Sequence, residues 1–158
     1  MNDEHDPNDE DVIENLKNFK KTSKLRSVAL NILVKMLPPS EVETLKKQFE
    51  EIDKDNSGFI DAEELGRAMK INKSITIPDE EIDDIIKQVS YYGHARINYT
   101  EFLAATIKVK KVLNKARIWN LFKSFDTDDS GFITEWNVIN AFHHFGYKIT
   151  DQEIDHIF

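Results

Sequence analysis

The sequence predicts an all-α protein in which a long basic helix precedes a series of helix–loop–helix units. Three observations lead to this prediction. Apolar residues recur at helical spacing, a stretch of 12 residues repeats three times, and each repeat lies between two helical patterns. The chain has 158 residues, 40% of them hydrophobic, which is enough for one ordinary domain or two small lobes with a core.

The N-terminal part of the chain divides into an acidic and a basic portion. Residues 1–14 contain seven acidic residues and no Lys or Arg, and we expect residues 1–13 to be a disordered tail. Residues 15–39 contain six bases and no acids. Apolar side chains recur at steps of three and four within 14–39, which predicts one amphipathic helix over about 16–37. It should end at Pro38–Pro39, because proline lacks the backbone N–H.

Charge and composition limit the possible partners. The net charge is −8, and residues 40–158 are acidic, which argues against nucleic acid and favours an internal match with the basic helix. No apolar run approaches the roughly 18 residues of a membrane-spanning helix, and the N-terminus lacks a secretion signal pattern. The absence of Cys excludes disulfides and thiolate metal sites, and it fits a cytoplasmic, reducing location.

The three repeats are DKDNSGFIDAEE, SYYGHARINYTE and DTDDSGFITEWN, and they begin at Asp53, Ser90 and Asp126. Each has Ile at its eighth position and helical patterns on both sides. A helix, a 12-residue loop and a second helix form an EF-hand. We therefore expect an EF-hand pair over residues 40–112, and a third hand with the truncated start of a fourth over 113–158.

The first loop matches the pattern of a calcium site. Calcium takes six to eight oxygen ligands, and alternating acidic and hydroxyl side chains can direct their oxygens to one point. Gly58 permits the sharp bend, a backbone carbonyl serves at position seven, and Glu64 closes the site with two oxygens. The alternative is an ordinary Asp/Ser/Gly-rich turn that binds no ion. The predicted ligands are Asp53, Asp55, Ser57, Phe59, Asp61 and Glu64.

The second loop lacks most of these ligands. Ser90, Tyr92 and His94 occupy positions one, three and five, and Glu101 is its only carboxylate. One interpretation is an unusual metal site at His94. The other, which we favour, is a loop without calcium whose Ile97 pairs with the first loop and braces it.

The third loop retains its ligands except the last. Asn137 stands at position twelve and offers one neutral carbonyl oxygen instead of a carboxylate. With Thr134 at position nine, the loop has two carboxylates at its ligand positions where the first loop has four, which predicts weaker calcium binding. Its other predicted ligands are Asp126, Asp128, Ser130, Phe132 and Thr134.

Residues 16–65, which read LKNFKKTSKLRSVALNILVKMLPPSEVETLKKQFEEIDKDNSGFIDAEEL, resemble the junction and first EF-hand of calcium-dependent protein kinases of plants and protists. The resemblance extends over about 14–158. In that family the segment follows a Ser/Thr kinase domain, and the junction helix inhibits the kinase until calcium makes the EF-hand lobes clasp or reposition it. The resemblance thus implies a calcium-sensing regulatory segment with Ca²⁺ in the first and third loops. It also implies a kinase domain upstream in the same polypeptide and helix 16–37 as an intramolecular partner.

The chain itself shows no kinase motif. It has no Gly-rich phosphate loop and no HRD, DFG or APE sequence, so we expect no catalytic residues. Two other interpretations remain open from the sequence. The chain could be a free-standing adaptor, like a light chain, that binds a partner's helix, or it could be a passive calcium buffer.

Overall fold

Helices account for most of the structure, as predicted, and one small sheet joins two of the loops. The structure is a computed structural model that describes residues 7–19, 23–71, 77–90 and 94–158, with side chains from Val12 onward. No helix among these residues is long and apolar enough to span a membrane. The elements are α1 (Pro7–Phe19), α2 (Lys24–Lys35), α3 (Pro39–Ile52), β1 (Phe59–Asp61), α4 (Ala62–Ile71), α5 (Asp79–Val89), β2 (Arg96–Asn98), α6 (Tyr99–Thr106), α7 (Val109–Val112), α8 (Lys115–Phe125), α9 (Glu135–His144) and α10 (Asp151–Ile157).

The N-terminal helix α1 begins earlier than the sequence predicts. The predicted tail boundary at residue 13 is wrong, because α1 begins at Pro7 and its apolar side chains are buried against α5 and α6. Tertiary packing of an apolar stripe stabilises a helix more than local composition does, so acidic neighbours do not prevent it. Residues 1–6 lie outside the described part of the chain. The buried side chains are Val12, Ile13, Leu16 and Phe19.

The predicted helix over 16–37 is divided between α1 and α2. Helix α1 ends at Phe19, and α2 begins at Lys24 with Ser23 as its N-cap. The Ser23 hydroxyl accepts a hydrogen bond from the Arg26 N–H at 3.3 Å, which satisfies one unpaired donor of the first turn. Residues 20–22 lie outside the described residues. Helix α2 ends at Lys35, ahead of the two prolines, as the sequence predicts.

The first core lies between the first two EF-hands. Phe49 of α3 packs edge-on against the rings of Tyr99 and Phe102 in α6, with centroids 5.4 Å apart in both pairs. Strands β1 and β2 are antiparallel and place Ile60 opposite Ile97, both fully buried. The predicted pairing of the two loops is therefore confirmed.

The second core is smaller and lies around the third EF-hand. It contains Phe125, Val138, Phe142, Phe145 and Ile154, with Val28 contributed by α2. Helix α10 begins with a capping box, in which Thr150 and Glu153 exchange hydrogen bonds. Residues 126–134 contain no strand, so the third loop has no strand partner within the described residues.

Helix α2 belongs to both cores. Leu30, Leu33 and Val34 pack in the first core, while Val28 packs in the second. The partly buried Leu25 and Ile32 also pack against the second core. Since the apolar side chains of α2 are divided between two cores, the helix fixes how the two lobes sit relative to each other.

Polar groups also hold α2 to the second lobe. The Lys24 ammonium lies 2.7 Å from a Glu153 carboxylate oxygen and 3.3 Å from the carbonyl oxygen of Lys148. The hydrogen bond from Lys24, with the Thr150 N–H, lowers the pKa of Glu153 to about 2. Burial raises the pKa of Tyr147 to about 12, although a hydrogen bond with Ser27 of α2 opposes the rise.

Exchange of Lys24 for Gln tests this ion pair. We expect the pKa of Glu153 to rise from about 2 toward its ordinary 4.5, since the cation that favours the carboxylate is gone. A depressed folded-state pKa gives stability that is present above the unfolded pKa of about 4.5 and lost as pH falls toward about 2. The free energies of unfolding of variant and wild type should thus differ at neutral pH and converge in acid. Carbon NMR titration and urea unfolding measure the two quantities.

Lys46→Gln provides the control, because Lys46 pairs with Glu50 within α3 at 3.9 Å, far along the chain from α10. It should leave the Glu153 pKa unchanged. An unchanged Glu153 pKa in Lys24→Gln would contradict the proposed role of Lys24.

Candidate metal centre

The first loop forms a tight turn between α3 and α4. Asp53 directly follows α3, and Glu64 lies in the first turn of α4. Asn56 has φ of 54° and Gly58 has φ of 82°, both in the left-handed region. Glycine enters this region without steric cost, so Gly58 permits the bend that brings the two ends of the loop together.

Three carboxylates converge in this turn. One oxygen from each of Asp53, Asp55 and Glu64 lies within 4.8 Å of the other two. Asp53 is 5% exposed and Glu64 is 3% exposed, while Asp55 is exposed. Within the described residues, this is the one group of three or more such side chains that could hold a metal ion. Carboxylates at this spacing repel one another unless positive charge or hydrogen-bond donors compensate.

Backbone N–H groups supply part of this compensation. The N–H groups of Ser57 and Gly58 donate to Asp53 at 3.0 and 2.9 Å. The Asp55 N–H donates to Glu64 Oε1 at 3.3 Å, so one Glu64 oxygen already faces the loop. Hydrogen bonds from the Ser57 hydroxyl and N–H lower the pKa of Asp55, which keeps this carboxylate charged at neutral pH.

The remaining predicted ligands occupy different surroundings. Ser57 Oγ lies 3.1 Å from the Phe59 carbonyl oxygen, so these two oxygens are adjacent. Asp61 instead exchanges hydrogen bonds with Glu64. Its Oδ1 accepts from the Glu64 N–H at 2.9 Å, and its own N–H donates to Glu64 Oε2 at 3.2 Å. Asp61 therefore caps α4 and orients Glu64, a role that sequence position nine alone does not reveal.

The donor set fits a calcium ion. Calcium prefers hard oxygen ligands, and the first loop offers clustered carboxylate oxygens next to a hydroxyl and a backbone carbonyl. The absence of Cys leaves no soft ligand that would favour a thiophilic metal.

The second loop uses its one carboxylate for structure. Glu101 Oε2 accepts from the Asn98 N–H at 2.8 Å, and Asn98 Oδ1 accepts from the Glu101 N–H at 2.9 Å. This capping box starts α6 and commits Glu101 to the helix end. Ser90 is buried, and its hydroxyl has no hydrogen-bond partner among the residues that the structure describes. Tyr92 lies outside the described residues, and His94 is not part of a metal-binding group among those that are described.

The third loop repeats the turn of the first. Asp129 has φ of 54° and Gly131 has φ of 84°, which match Asn56 and Gly58 closely. The N–H groups of Ser130 and Gly131 each donate to Asp126 at 2.9 Å. Burial raises the pKa of Asp126, but these hydrogen bonds lower that pKa by a larger amount, so the net shift is downward. Ser130 Oγ lies 3.1 Å from the Phe132 carbonyl oxygen, as in the first loop.

Asn137 makes the difference between the two loops. Its Oδ1 accepts from both the N–H and the hydroxyl of Thr134 at 2.9 Å, and its Nδ2 donates to Asp128 Oδ1 at 3.3 Å. Asn137 is 1% exposed, so this arrangement is shielded from water. The donor end of the amide, not an oxygen, thus faces the carboxylate of Asp128. Sequence alone shows the loss of a carboxylate but not this internal hydrogen bond.

Comparison with known proteins agrees with this geometry. The EF-hand domain pair family matches residues 42–107, which hold the first two loops. Residues 42–107 are a calcium-binding EF-hand pair. The predicted all-α EF-hand fold and the predicted calcium cofactor are therefore confirmed.

Over most of its length, this chain is also similar to calcium-dependent protein kinases of plants. Calcium-dependent protein kinase 11 of Oryza sativa subsp. japonica is 34% identical over 151 residues, which are 96% of this chain and 26% of that protein. Calcium-dependent protein kinase 34 of Arabidopsis thaliana is 31% identical over 140 residues, covering 89% of this chain and 27% of the relative. Calcium-dependent protein kinase 2 of Zea mays is 32% identical over 151 residues, which cover 94% of this chain and 29% of that protein. The chain therefore spans about a quarter of the length of these relatives, with which it is homologous.

Glu64→Gln should weaken calcium binding by at least about tenfold, because it removes one negative charge and one strong ligand oxygen from the converging group. Isothermal titration calorimetry measures the affinity. Glu63→Gln is the matched control, since Glu63 lies next in the chain, has a side chain that is 80% exposed, and forms an ion pair with Arg67 on the surface of α4. Equal affinities for the two variants would show that Glu64 is not a ligand.

Asn137→Glu should create a stronger site in the third loop. The new carboxylate adds charge and removes the amide donor that faces Asp128. Calorimetry should show an additional binding step or a tighter second one. Asn120→Glu makes the same chemical change on the exposed surface of α8 and should leave the calcium titration unchanged. If Asn137→Glu adds neither affinity nor a site, position twelve does not limit this loop.

Proposed function

We propose that this chain is the calcium-sensing regulatory segment of a Ser/Thr protein kinase. Calcium at the first loop repositions α1 and α2 and relieves inhibition of a kinase domain elsewhere in the same polypeptide. The similarity to calcium-dependent protein kinases over most of the chain supports this proposal. The absence of Cys agrees with an intracellular location, which is part of the same proposal.

We further propose different roles for the three loops. The first loop is the principal site, with the ligands Asp53, Asp55, Ser57, Phe59, Asp61 and Glu64. The second loop braces the first. The third loop binds calcium weakly through Asp126, Asp128, Ser130, Phe132 and Thr134, and Asn137 acts there as an internal hydrogen-bond donor rather than as a ligand.

One cleft carries the mechanistic proposal, because it joins the first loop to the N-terminal helix. The cleft measures about 310 Å³ and is lined by Glu64 and Ile71 of α4 together with Val12 and Ile13 of α1. A predicted ligand and the buried face of α1 therefore belong to the same cleft. Any rotation of α4 about its first turn changes the wall against which α1 packs.

Bound calcium would supply the positive charge that offsets the repulsion among Asp53, Asp55 and Glu64. The chain's own residues transmit this change in charge at the loop to the neighbouring helices. Glu64 belongs to the first turn of α4, and its hydrogen bonds with Asp61 hold its side chain against that turn, so a change in its position moves the first turn of α4. Helices α1 and α2 both pack against α6, which allows a shift of α1 to reach α2.

Hydrogen exchange on the whole chain tests this function. Calcium should change amide exchange in α1 and α2, not only in the loops, because their packing surfaces are rearranged. Glu64→Gln should abolish the remote change, and Glu63→Gln should retain it. Protection confined to the loops would identify a calcium buffer. Unchanged exchange in α1 and α2 with new binding of an added amphipathic helix would identify an adaptor.

A further inference from the structure

The second loop places a positive charge beside the first loop. Arg96 stands at position seven of the second loop, in strand β2, where its side chain is exposed and the next residue, Ile97, is buried. The register of the two strands puts Arg96 directly opposite Asp61 of the first loop. Directly opposite side chains of an antiparallel pair lie on the same face of the sheet, with Cβ atoms about 4.5–5.5 Å apart. Arg96 therefore lies on the same face as Asp61, which is hydrogen-bonded to Glu64.

The ring of Phe59 holds this charge in position. The Arg96 guanidinium carbon lies 4.2 Å from the centroid of the Phe59 ring. A cation at this distance is attracted by the negative face of the ring, and the planar guanidinium stacks well on it. Phe59 is also the residue at position seven of the first loop, where its backbone carbonyl is a predicted calcium ligand. One residue thus offers an oxygen to the ion and fixes a positive charge nearby.

The second loop does not neutralise Arg96. Its one carboxylate, Glu101, accepts from the Asn98 N–H in the capping box of α6. Arg96 forms no ion pair with the residues that the structure describes. A charge without a paired acid acts on other charges over a longer distance. The first loop, which is joined to the second through β1 and β2, supplies such charges in its group of converging carboxylates.

We propose that Arg96 lowers the calcium affinity of the first loop and thereby sets the calcium concentration at which this loop fills. In the empty loop, the guanidinium offsets part of the repulsion among Asp53, Asp55 and Glu64. In the occupied loop, it repels the bound divalent cation. Both effects make calcium binding less favourable, so a loop that has lost most of its own ligands regulates its neighbour. This inference rests on the proposed calcium site in the first loop.

The sign of the effect distinguishes this role from a purely structural one. If Arg96 only braced the two strands, its removal would loosen the first loop and weaken calcium binding. Removal of a repelling charge strengthens binding instead. A unit charge roughly 10 Å from a divalent ion, the reach of an arginine from a neighbouring strand, changes the affinity by about threefold at low ionic strength.

Calorimetric titration of calcium into the whole chain tests the proposal. Arg96→Met removes the charge but keeps a long side chain that packs on an aromatic ring, so the tighter binding step should strengthen by about threefold. The gain should shrink at high salt, because the charges are screened. Arg96→Lys retains the charge and should bind calcium as wild type does. Lys46→Met removes the same charge from α3, two turns before Asp53, and should change the affinity much less.

A trivalent ion and a second background separate the charge from the packing. Coulomb repulsion scales with the charge of the ion, so Arg96→Met should favour La³⁺ by about fivefold where it favours Ca²⁺ by about threefold. Phe59→Leu keeps the backbone carbonyl but removes the ring that holds the guanidinium. In this background the gain from Arg96→Met should be smaller, because the two residues are coupled.

Weaker calcium binding by Arg96→Met would overturn the proposal and make Arg96 part of the brace between the strands. Unchanged binding, or equal gains for Ca²⁺ and La³⁺, would overturn it as well. Glu64→Gln in the same titration tests the site separately. If Glu64→Gln leaves the affinity unchanged, the calcium site itself is wrong; if it weakens binding while Arg96→Met gives no gain, only the role of Arg96 is wrong. Circular dichroism confirms that each variant is folded before affinities are compared.

Discussion

The burial of α2 in two hydrophobic cores is the constraint on which the arrangement of the molecule depends. Leu33 is 1% exposed in the first core, and Val28 is fully buried in the second. Burial of apolar surface contributes roughly 25 cal/mol per Å² removed from water, so displacement of α2 would expose both cores at once. The ion pair from Lys24 to Glu153 adds a polar tie on one side only. Helix α2 therefore joins the two lobes by packing against both.

The first and third loops show how one side chain changes the electrostatics of an otherwise equal turn. Both have the same pattern of left-handed residues and the same N–H donors to their first Asp. In the first loop, Glu64 adds a third carboxylate to the group, and a bound cation would compensate the repulsion among the three. In the third loop, the Asn137 amide donates to Asp128 and partly satisfies that carboxylate from within the chain. A bound cation would therefore compensate less negative charge in the third loop than in the first.

Much of the site follows from the sequence because its residues lie within 12 positions of one another. Spacing was sufficient to predict the convergence around Asp53, since turn geometry is a local property. The pairing of Ile60 with Ile97 followed instead from their equal positions in two repeats. Composition was misleading for α1, where acidic residues suggested a tail. The burial of Leu16 against α6 comes from a surface formed some 90 residues later in the chain. Local patterns carry no information about such a surface.

The sequence by itself determined the helical class, the three loop positions and the types of oxygen ligand each loop offers. The tertiary structure decided that α2 is shared between lobes, that Asp61 orients Glu64, and that the Asn137 amide turns its donor toward Asp128. The physical reason is the distance along the chain between the residues that determine each feature. Ligand chemistry is carried by neighbouring side chains in a tight turn, whereas helix placement and amide orientation depend on contacts that exist only after distant parts of the chain have packed together.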